Sequence, residues 1–412
     1  MKGKRAMTEK TLTASVLALT IAACATAPNE PARPQSAGAA PPTAEADAST
    51  GAEPETGARA AAASTPQAVL DAFAPAPTRT ARIDYELIDE ALDVIVFNGG
   101  PSTRARSSRP DALVGTRFVR GHDSPFRLEG NKIFFSQFDD ETRQVISEYR
   151  DSLERIGREA GIKSLARDEQ LAYWLNLHNV VVIDELAQRY PLKRPRREKV
   201  GPNGETLHDA PIIDLGLESP LSLRDVREIV YTHWDDPRVI YGFFRGDIGG
   251  PQVRSDAYTG RDVNRMLDRQ AEEFVNSLRG VARGRNTLYV NEIYDEARPH
   301  YFASWPDALK QHLLKHAEEE VTELILTRQN VKIARYEDKI ADLAGGESTS
   351  DLNVRDNTQS VRSSLGGGKI SPEMIRMVQE YRQKLEVLRR QGKLAPRVII
   401  IDLPDADEGD EE

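Results

Sequence analysis

Residues 168–179 read Asp-Glu-Gln-Leu-Ala-Tyr-Trp-Leu-Asn-Leu-His-Asn and belong to the most informative stretch of the sequence. Apolar residues continue beyond this run and leave almost no polar face through the middle of the segment. A helix that is apolar nearly all round lies inside a protein core, so we predict a core helix over residues 166–190. Pro191 ends it. Asn176 and Asn179, three residues apart, share one helix face beside Trp174.

Amide side chains on a core helix need partners, because an unpartnered buried amide costs about 1–3 kcal/mol. Asn176 and Asn179 therefore either brace the backbone of another segment, which we favour, or line a binding cavity together with Trp174. His178 stands between them. A buried histidine with satisfied nitrogens is the favoured interpretation, and a general base is the alternative.

Several helices and few strands are indicated on either side of this core helix. Helical spacing of apolar residues predicts helices over residues 83–97 and 139–161. Ser371-Pro372-Glu373, with a cap, a first-turn proline and an early acid, predicts a helix over residues 371–391. A further helix is expected over residues 305–326. Capping boxes at Ser222 to Asp225 and Thr259 to Asp262 open two more. Short strands are predicted at residues 133–135, 287–290 and 331–334. This pattern favours an α+β fold, a mainly helical domain with a small sheet.

The N-terminus has the zones of a secretory signal, with basic residues before an apolar run at residues 12–21 that is too short to span a membrane. Ile21-Ala22-Ala23-Cys24 resembles the bacterial lipobox, which implies a signal peptide over residues 1–23 and lipid on Cys24. The alternative is a plain signal with a chance cysteine. Ala25 differs from the aspartate that resembles an inner-membrane retention signal. We therefore expect anchoring in the cell envelope, at the outer membrane facing the periplasm.

Composition divides the mature chain into four parts. Residues 24–66 are rich in alanine and proline and are predicted to be a disordered tether. Residues 67–346 form the globular domain and residues 347–370 a polar linker. Residues 371–412 hold a helix, a short strand at 398–401 and an acidic tail, which should dock on the domain or on a partner. The formal net charge of −10 disfavours nucleic acid as a partner.

The core helix resembles that of the family called domain of unknown function 547, whose helix reads Glu-Gln-x-Ala-Phe-Trp-x-Asn-x-Tyr-Asn. His178 takes the tyrosine position. The resemblance covers residues 81–346, with residues 99–130 as an insertion. It continues through Ser222-Leu223-Arg224-Asp225-Val226, Asp236-Pro237-Arg238-Val239, Pro251, Tyr258-Thr259 and the helix at 263–278, and more weakly through Tyr336-Glu337-Asp338.

The departures fall where the resemblance implies chemistry. The family reads His-Phe-Ala-Leu-x-Cys and then Cys-Pro, whereas this chain has Ile240, Arg245 and Gly250 at the histidine and cysteine positions. A Cys/His pair implies, by analogy, a papain-like or transglutaminase-like thiol mechanism. Cys24 is the only cysteine in this sequence, so we do not expect that mechanism here.

The loop that replaces this centre, residues 245–251, contains three glycines and one charge of each sign. Arg245 and Asp247, with the loop's backbone N–H groups, could bind a carboxylate or phosphate. The favoured alternative is a loop rebuilt around a salt bridge. We predict neither a metal site nor a cofactor, because no histidines follow a zinc spacing. The histidines considered were His208, His233, His312 and His316.

Three hypotheses follow. The leading one is a non-catalytic, lipid-anchored protein that binds a small molecule, a peptide or an envelope protein through its altered cleft. The second is a hydrolase without a thiol, in which His178 acts with Arg245 as oxyanion support. The third is a structural component of an envelope complex, docked through the C-terminal helix and tail.

Overall fold

The computed structural model describes residues 65–75, 79–112, 119–347 and 372–393. The predicted signal peptide, Cys24, almost all of the tether and of the linker, the strand at 398–401 and the acidic tail lie outside these residues. All described residues belong to one unit. Among them, no helix is both long enough and apolar enough to cross a membrane.

Eleven helices and five short strands are found in the described residues. The helices are α1 Gln67–Ala72, α2 Glu86–Ile95, α3 Asp140–Arg155, α4 Arg167–Arg189, α5 Leu223–His233, α6 Val263–Val275, α7 Glu292–Glu296, α8 Arg298–Tyr301, α9 Asp307–Leu314, α10 Glu319–Thr327 and α11 Pro372–Arg390. The strands are β1 Val96–Phe97, β2 Lys132–Ile133, β3 Val281–Arg283, β4 Thr287–Val290 and β5 Asn330–Ile333.

The strands form two small sheets. In the first, β1 pairs antiparallel with β2; in the second, β4 lies between β3, which is antiparallel to it, and β5, which is parallel. The predicted α+β class, mainly helical with a small sheet, is confirmed. The papain-like or transglutaminase-like comparison stays an analogy.

The predicted core helix is α4, and it is buried along nearly its whole length. It packs against α3 and α5. The Tyr173 hydroxyl donates to the Leu153 carbonyl at the end of α3. At the start of α4, the Glu169 carboxylate accepts from the backbone N–H groups of Ile83 and Gly260. The helix thus fixes segments that are distant in the sequence.

One of the two predicted capping boxes is confirmed. Ser222 and Asp225 exchange side-chain and backbone hydrogen bonds at the start of α5. The second prediction was wrong, because residues 259–262 form a turn and α6 begins only at Val263. Glu169 of α4 takes the Gly260 N–H, and the Thr259 carbonyl accepts from Asp262 and Val263. A tertiary contact therefore replaces the local cap.

The single helix predicted over residues 305–326 was also wrong, since α9 and α10 are separate helices. The chain breaks at residues 315–318, where Asn276 supplies hydrogen bonds from another segment. Its amide donates to the His316 carbonyl at 2.8 Å and accepts from the Glu318 N–H at 2.7 Å.

Candidate functional site

The loop at the position of the family's first cysteine packs directly on the core helix. Residues 243–245 follow a 3-10 turn, Pro237–Gly242, and the chain reverses at Gly246 with a φ of +82°. A Cβ at Gly246 would lie 2.7 Å from the Leu186 side chain of α4, so only glycine fits there. This close approach brings the Arg245 side chain into the interior, where it is 4% exposed.

The Arg245 guanidinium is bound by a carboxylate of the same chain. It donates two parallel hydrogen bonds to Glu296 of α7, both at 3.0 Å. Arg227 of α5 donates to the same carboxylate at 2.8 Å. Burial disfavours the charged form of Glu296, but the two guanidinium groups hold its pKa well below the usual range. These three residues, which we call the Arg–Glu–Arg cluster, form an internal salt bridge of the kind favoured for this loop.

His178 is tied into the Arg–Glu–Arg cluster. Its Nε2 lies 3.1 Å from Arg227 Nη1, and its Nδ1 lies 3.2 Å from Asn179 Oδ1. Arginine only donates, so Nε2 accepts and the Nδ1–H donates to Asn179. Burial, and then Arg227 and Arg245, lower the pKa of His178 well below its usual value. The ring is neutral, and both nitrogens are engaged.

A second histidine, His208, stacks on His178 with ring centroids 6.5 Å apart. Both of its ring nitrogens are buried and have no hydrogen-bond partner among the described residues. Burial lowers the pKa of His208, and the charges of Arg227 and Arg245 lower it further. His208 therefore also stays neutral beside the Arg–Glu–Arg cluster.

Asp247 lies two residues after Arg245 and is almost fully buried. Its Oδ1 accepts from the Tyr336 hydroxyl at 2.5 Å and from the Gly250 N–H at 3.1 Å, while Oδ2 has no described partner. Arg196 lies over the Tyr336 ring, 4.4 Å from its centroid. Burial raises the pKa of Asp247 to about 7, against the opposing effect of Arg196.

The two asparagines of the core helix brace loops. Asn176 exchanges two hydrogen bonds with the backbone of Tyr258, at 2.8 and 2.9 Å. Asn179 donates to the Gly242 carbonyl and accepts from the Phe244 N–H, each at 2.9 Å. Both asparagines thus hydrogen-bond to the backbone of another segment, which is the loop-bracing role that we favour from the sequence.

The structure does not bring all the predicted site residues around one cavity. Asn176 and Asn179 line a cavity of about 10 Å³, room for one water molecule, which neither His178 nor Arg245 lines. Trp174 is fully buried and packs its ring edge-to-face against Phe73, the residue that follows α1.

A much larger cavity, about 370 Å³, shares the lining residues Arg254 and Asp256 with the small one. We call it the polar groove. Its lining comes from residues 98, 100–102, 252 and 254–256, from α6 and from neighbouring side chains. Five of the lining residues carry side-chain amides: Asn98, Asn131, Gln252, Gln270 and Asn276.

Amides of the polar groove hold one another in place. Gln252 accepts from the Asn131 N–H at 3.0 Å and donates to Gln270 at 3.1 Å. Asn131 in turn donates to the Val253 carbonyl at 2.8 Å. These hydrogen bonds join the lining residues of the groove to one another.

Most charges of the polar groove are paired. Arg254 binds Asp256, Glu273 binds Arg279, and Glu318 binds Lys393. Arg269 and Glu272 of α6 are exposed and make no ion pair with any described residue. Among the lining residues that the structure describes, Arg269 and Glu272 are thus the charges that a ligand could pair with.

No group of three or more histidine, cysteine or acidic side chains in the described parts of the chain is arranged to hold a metal ion. His312, one of the histidines considered, is buried and its Nε2 lies 2.8 Å from the Tyr241 hydroxyl. Its ring centroid is 5.2 Å from that of His316.

Sequence reasoning missed Glu296 and Arg227, the two residues that define the surroundings of Arg245. Glu296 ends a helix of five residues that was not predicted, and Arg227 looks like an ordinary charge on α5. The one available signal was the position of Arg245, since a buried guanidinium needs a carboxylate.

Comparison with known proteins gives one match. Residues 162–275, which include α4, α5, the Arg245 loop and α6, match the family model described as "Protein of unknown function, DUF547". No curated protein and no solved structure gives a significant match. The resemblance predicted from the core helix is confirmed over residues 162–275. Its extension to residues 81–161 and 276–346 stays a prediction.

Proposed function

We propose that this chain is a lipid-anchored protein of the cell envelope whose DUF547 domain binds a ligand without transforming it. Lipid on Cys24 would hold the domain at the outer membrane, facing the periplasm. The ligand would lie in the polar groove, which adjoins the braced loop but does not include the Arg–Glu–Arg cluster.

One observation carries the non-catalytic part of this proposal: the Arg245 guanidinium is already bound by Glu296. A side chain that stabilises an oxyanion must present free donors to the place where charge develops. The fork of Arg245 is filled by an internal carboxylate. His178 has no free nitrogen with which to take a proton, because Arg227 and Asn179 occupy both. The rival hydrolase, with His178 and Arg245 as its machinery, would have to break this cluster first.

The lining of the polar groove indicates the kind of ligand. Amide side chains and paired charges suit hydroxyl, amide and carbonyl groups, and they disfavour an apolar molecule. Arg269 and Glu272 add one unpaired charge of each sign. A short peptide or another zwitterionic polar molecule matches this surface, since its carboxylate would bind Arg269 and its ammonium group Glu272.

The experiment is a thermal-shift and calorimetric titration of the detergent-extracted full-length protein with zwitterionic peptides of two to five residues. We expect a peptide that raises the melting temperature and whose affinity falls about tenfold or more in Arg269→Met. Arg265→Met on the same helix is the matched control, because Arg265 is exposed and pairs with Asp262 outside the groove. Equal affinity in the two variants would contradict this site.

The third hypothesis, docking of an envelope partner through the C-terminal helix, has less support. One face of α11 already packs on its own domain, where Met374, Met377 and Tyr381 are buried. A partner would have to use the remaining face or the tail.

A further inference from the structure

The C-terminal helix α11 contacts the polar groove from outside. Among the groove-lining residues, Asn98 and residues 100–102 form one wall, which we call the 98–102 wall, and Glu318 directly precedes α10. Lys384 of α11 contacts this wall, and Lys393, just after the helix, contacts Glu318. In the sequence, residues 348–371 connect α11 to the rest of the domain, so the helix comes from beyond the domain that forms the groove.

Lys384 is the strongest contact with the wall. Its side chain is 5% exposed, and Nζ donates to the carbonyls of Gly99 at 2.7 Å, Gly100 at 3.3 Å and Leu128 at 2.7 Å. These carbonyls belong to irregular backbone, where no sheet or helix would otherwise satisfy them. Burial lowers the pKa of Lys384 to about 8, although Glu129 and Glu273 favour the charge, so it remains mostly an ammonium group at neutral pH.

Neighbouring residues of α11 hold the same segment. The Tyr381 hydroxyl donates to the Arg127 carbonyl at 3.1 Å, and its ring lies 4.8 Å from that of Phe97. Arg127 donates two hydrogen bonds to Glu380, at 2.6 and 3.0 Å. A Cβ at Gly99 would lie 2.4 Å from the Gly130 carbonyl oxygen and 3.2 Å from the Tyr381 ring. The wall is thus packed tightly beneath the helix.

The wall continues into the groove through hydrogen bonds. The Gly99 N–H donates to Asn131 at 3.0 Å, and the Ser102 hydroxyl donates to Glu129 at 2.8 Å. On the other side, Lys393 Nζ lies 3.0 Å from the Glu318 carboxylate. The helix therefore spans from the wall to a second lining residue.

From these contacts we infer that α11 is a structural part of the polar groove and that Lys384 is the residue that positions its 98–102 wall. This inference rests on the proposed function only in calling the groove a binding site. Ligand binding and docking of α11 are then coupled. A ligand that needs the ordered wall strengthens the docking of α11, and release of α11 lowers the affinity for the ligand.

The test is hydrogen exchange on the full-length protein, compared between wild type, Lys384→Met and Arg382→Met. Arg382 lies on the exposed face of the same helix and is the matched control. We expect the backbone amides of residues 98–100 and 102, since Pro101 has none, to exchange at least about tenfold faster in Lys384→Met and within about twofold of wild type in Arg382→Met. Unchanged protection of this wall in Lys384→Met overturns the inference.

Two further measurements keep the result decisive. The amides of α4 serve as an internal reference for global folding. Should Lys384→Met lose protection there as well, a second variant is judged by the same criterion at residues 98–102. This variant is Glu380→Gln, which removes the charge that pairs with Arg127 and with Arg376. The exchange experiment needs no ligand. If the groove binds no peptide, only the proposed function is contradicted. If exchange at residues 98–102 does not change in the α11 variants, only this inference is contradicted.

Discussion

Arg245 and Glu296 are joined by two parallel hydrogen bonds of 3.0 Å, although they lie 51 positions apart in the sequence. Arg245 stands where the family resemblance places a cysteine, and Glu296 fills the place in which an external anion would meet its guanidinium. Arg227 binds the same carboxylate and also engages His178. The centre of the domain is therefore a closed electrostatic cluster, and each of its charged members depends on the others.

Removing the charge of Glu296 should be costly. In Glu296→Gln, Arg245 and Arg227 would face each other in the interior without a carboxylate, and breaking a buried ion pair in this way costs about 3–5 kcal/mol. Urea unfolding of the variant should show this loss in the free energy of unfolding. Asp295→Asn, an exposed neighbour on the same helix, should stay within about 0.5 kcal/mol of wild type. Equal free energies of unfolding for the two variants would show that the cluster does not stabilise the fold.

The buried Asp247 makes stability depend on pH. Its folded-state pKa of about 7 exceeds the usual value of 3.8, so the folded protein binds the extra proton. The stability that this group contributes is therefore fully present below about pH 4 and is lost as the pH rises from there through 7. Asp247→Asn keeps the acceptor for Tyr336 and cannot ionise.

The expected result for Asp247→Asn is a free energy of unfolding equal to wild type near pH 4 and higher by a few kcal/mol at pH 8, roughly. Chemical unfolding at several pH values measures the difference between the two proteins, which removes the contribution of other buried groups such as Asp342. A difference that does not change between pH 4 and 8 would mean that Asp247 is charged in the folded state throughout.

Asn176 should contribute mainly to stability. Asn176→Ala removes both hydrogen bonds to the Tyr258 backbone and leaves a buried donor and acceptor unpaired, at a cost of about 2–3 kcal/mol. Asn264→Ala, at an exposed position of α6, is the control and should change the free energy of unfolding by less than about 0.5 kcal/mol. If Asn176→Ala unfolded like this control but lost ligand binding, a substrate-facing role would replace the bracing role.

The sequence predicts those parts of the fold that are determined locally. The core helix follows from a run of apolar residues, and the start of α5 follows from Ser222 and Asp225 three residues apart. The errors come from contacts that sequence spacing does not contain. Asn276 separates α9 from α10, and Glu169 delays the start of α6.

The site shows the same division. That Asn176 and Asn179 need partners follows from their place on a buried helix, and the structure supplies backbone partners. The carboxylate that binds Arg245 could not be identified from the sequence. Glu296 lies on a five-residue helix, which is too short to show a helical pattern of apolar residues. The polar groove was not predicted at all, since loops that meet only in the folded chain form most of it.

The lipid anchor is a prediction about Cys24, outside the described residues. Cys24→Ala should stop lipidation and lipobox processing, so the protein should keep its signal peptide and migrate more slowly than the wild-type protein. Cell fractionation, gel mobility and labelling with a radioactive fatty acid measure this. A Cys24→Ala protein that still fractionates with membranes and still runs at the processed size would remove the basis for the anchor.

We propose that the Arg–Glu–Arg cluster stabilises the fold and does not catalyse a reaction. A turnover assay tests this proposal most directly. The full-length protein is assayed with ester, amide and glycoside substrates beside His178→Ala and Arg245→Ala, each checked for folding by circular dichroism. The account predicts no hydrolysis in the wild-type protein that exceeds that of the two variants. Hydrolysis by wild type that both folded variants lose would contradict it and would establish His178 and Arg245 as catalytic residues.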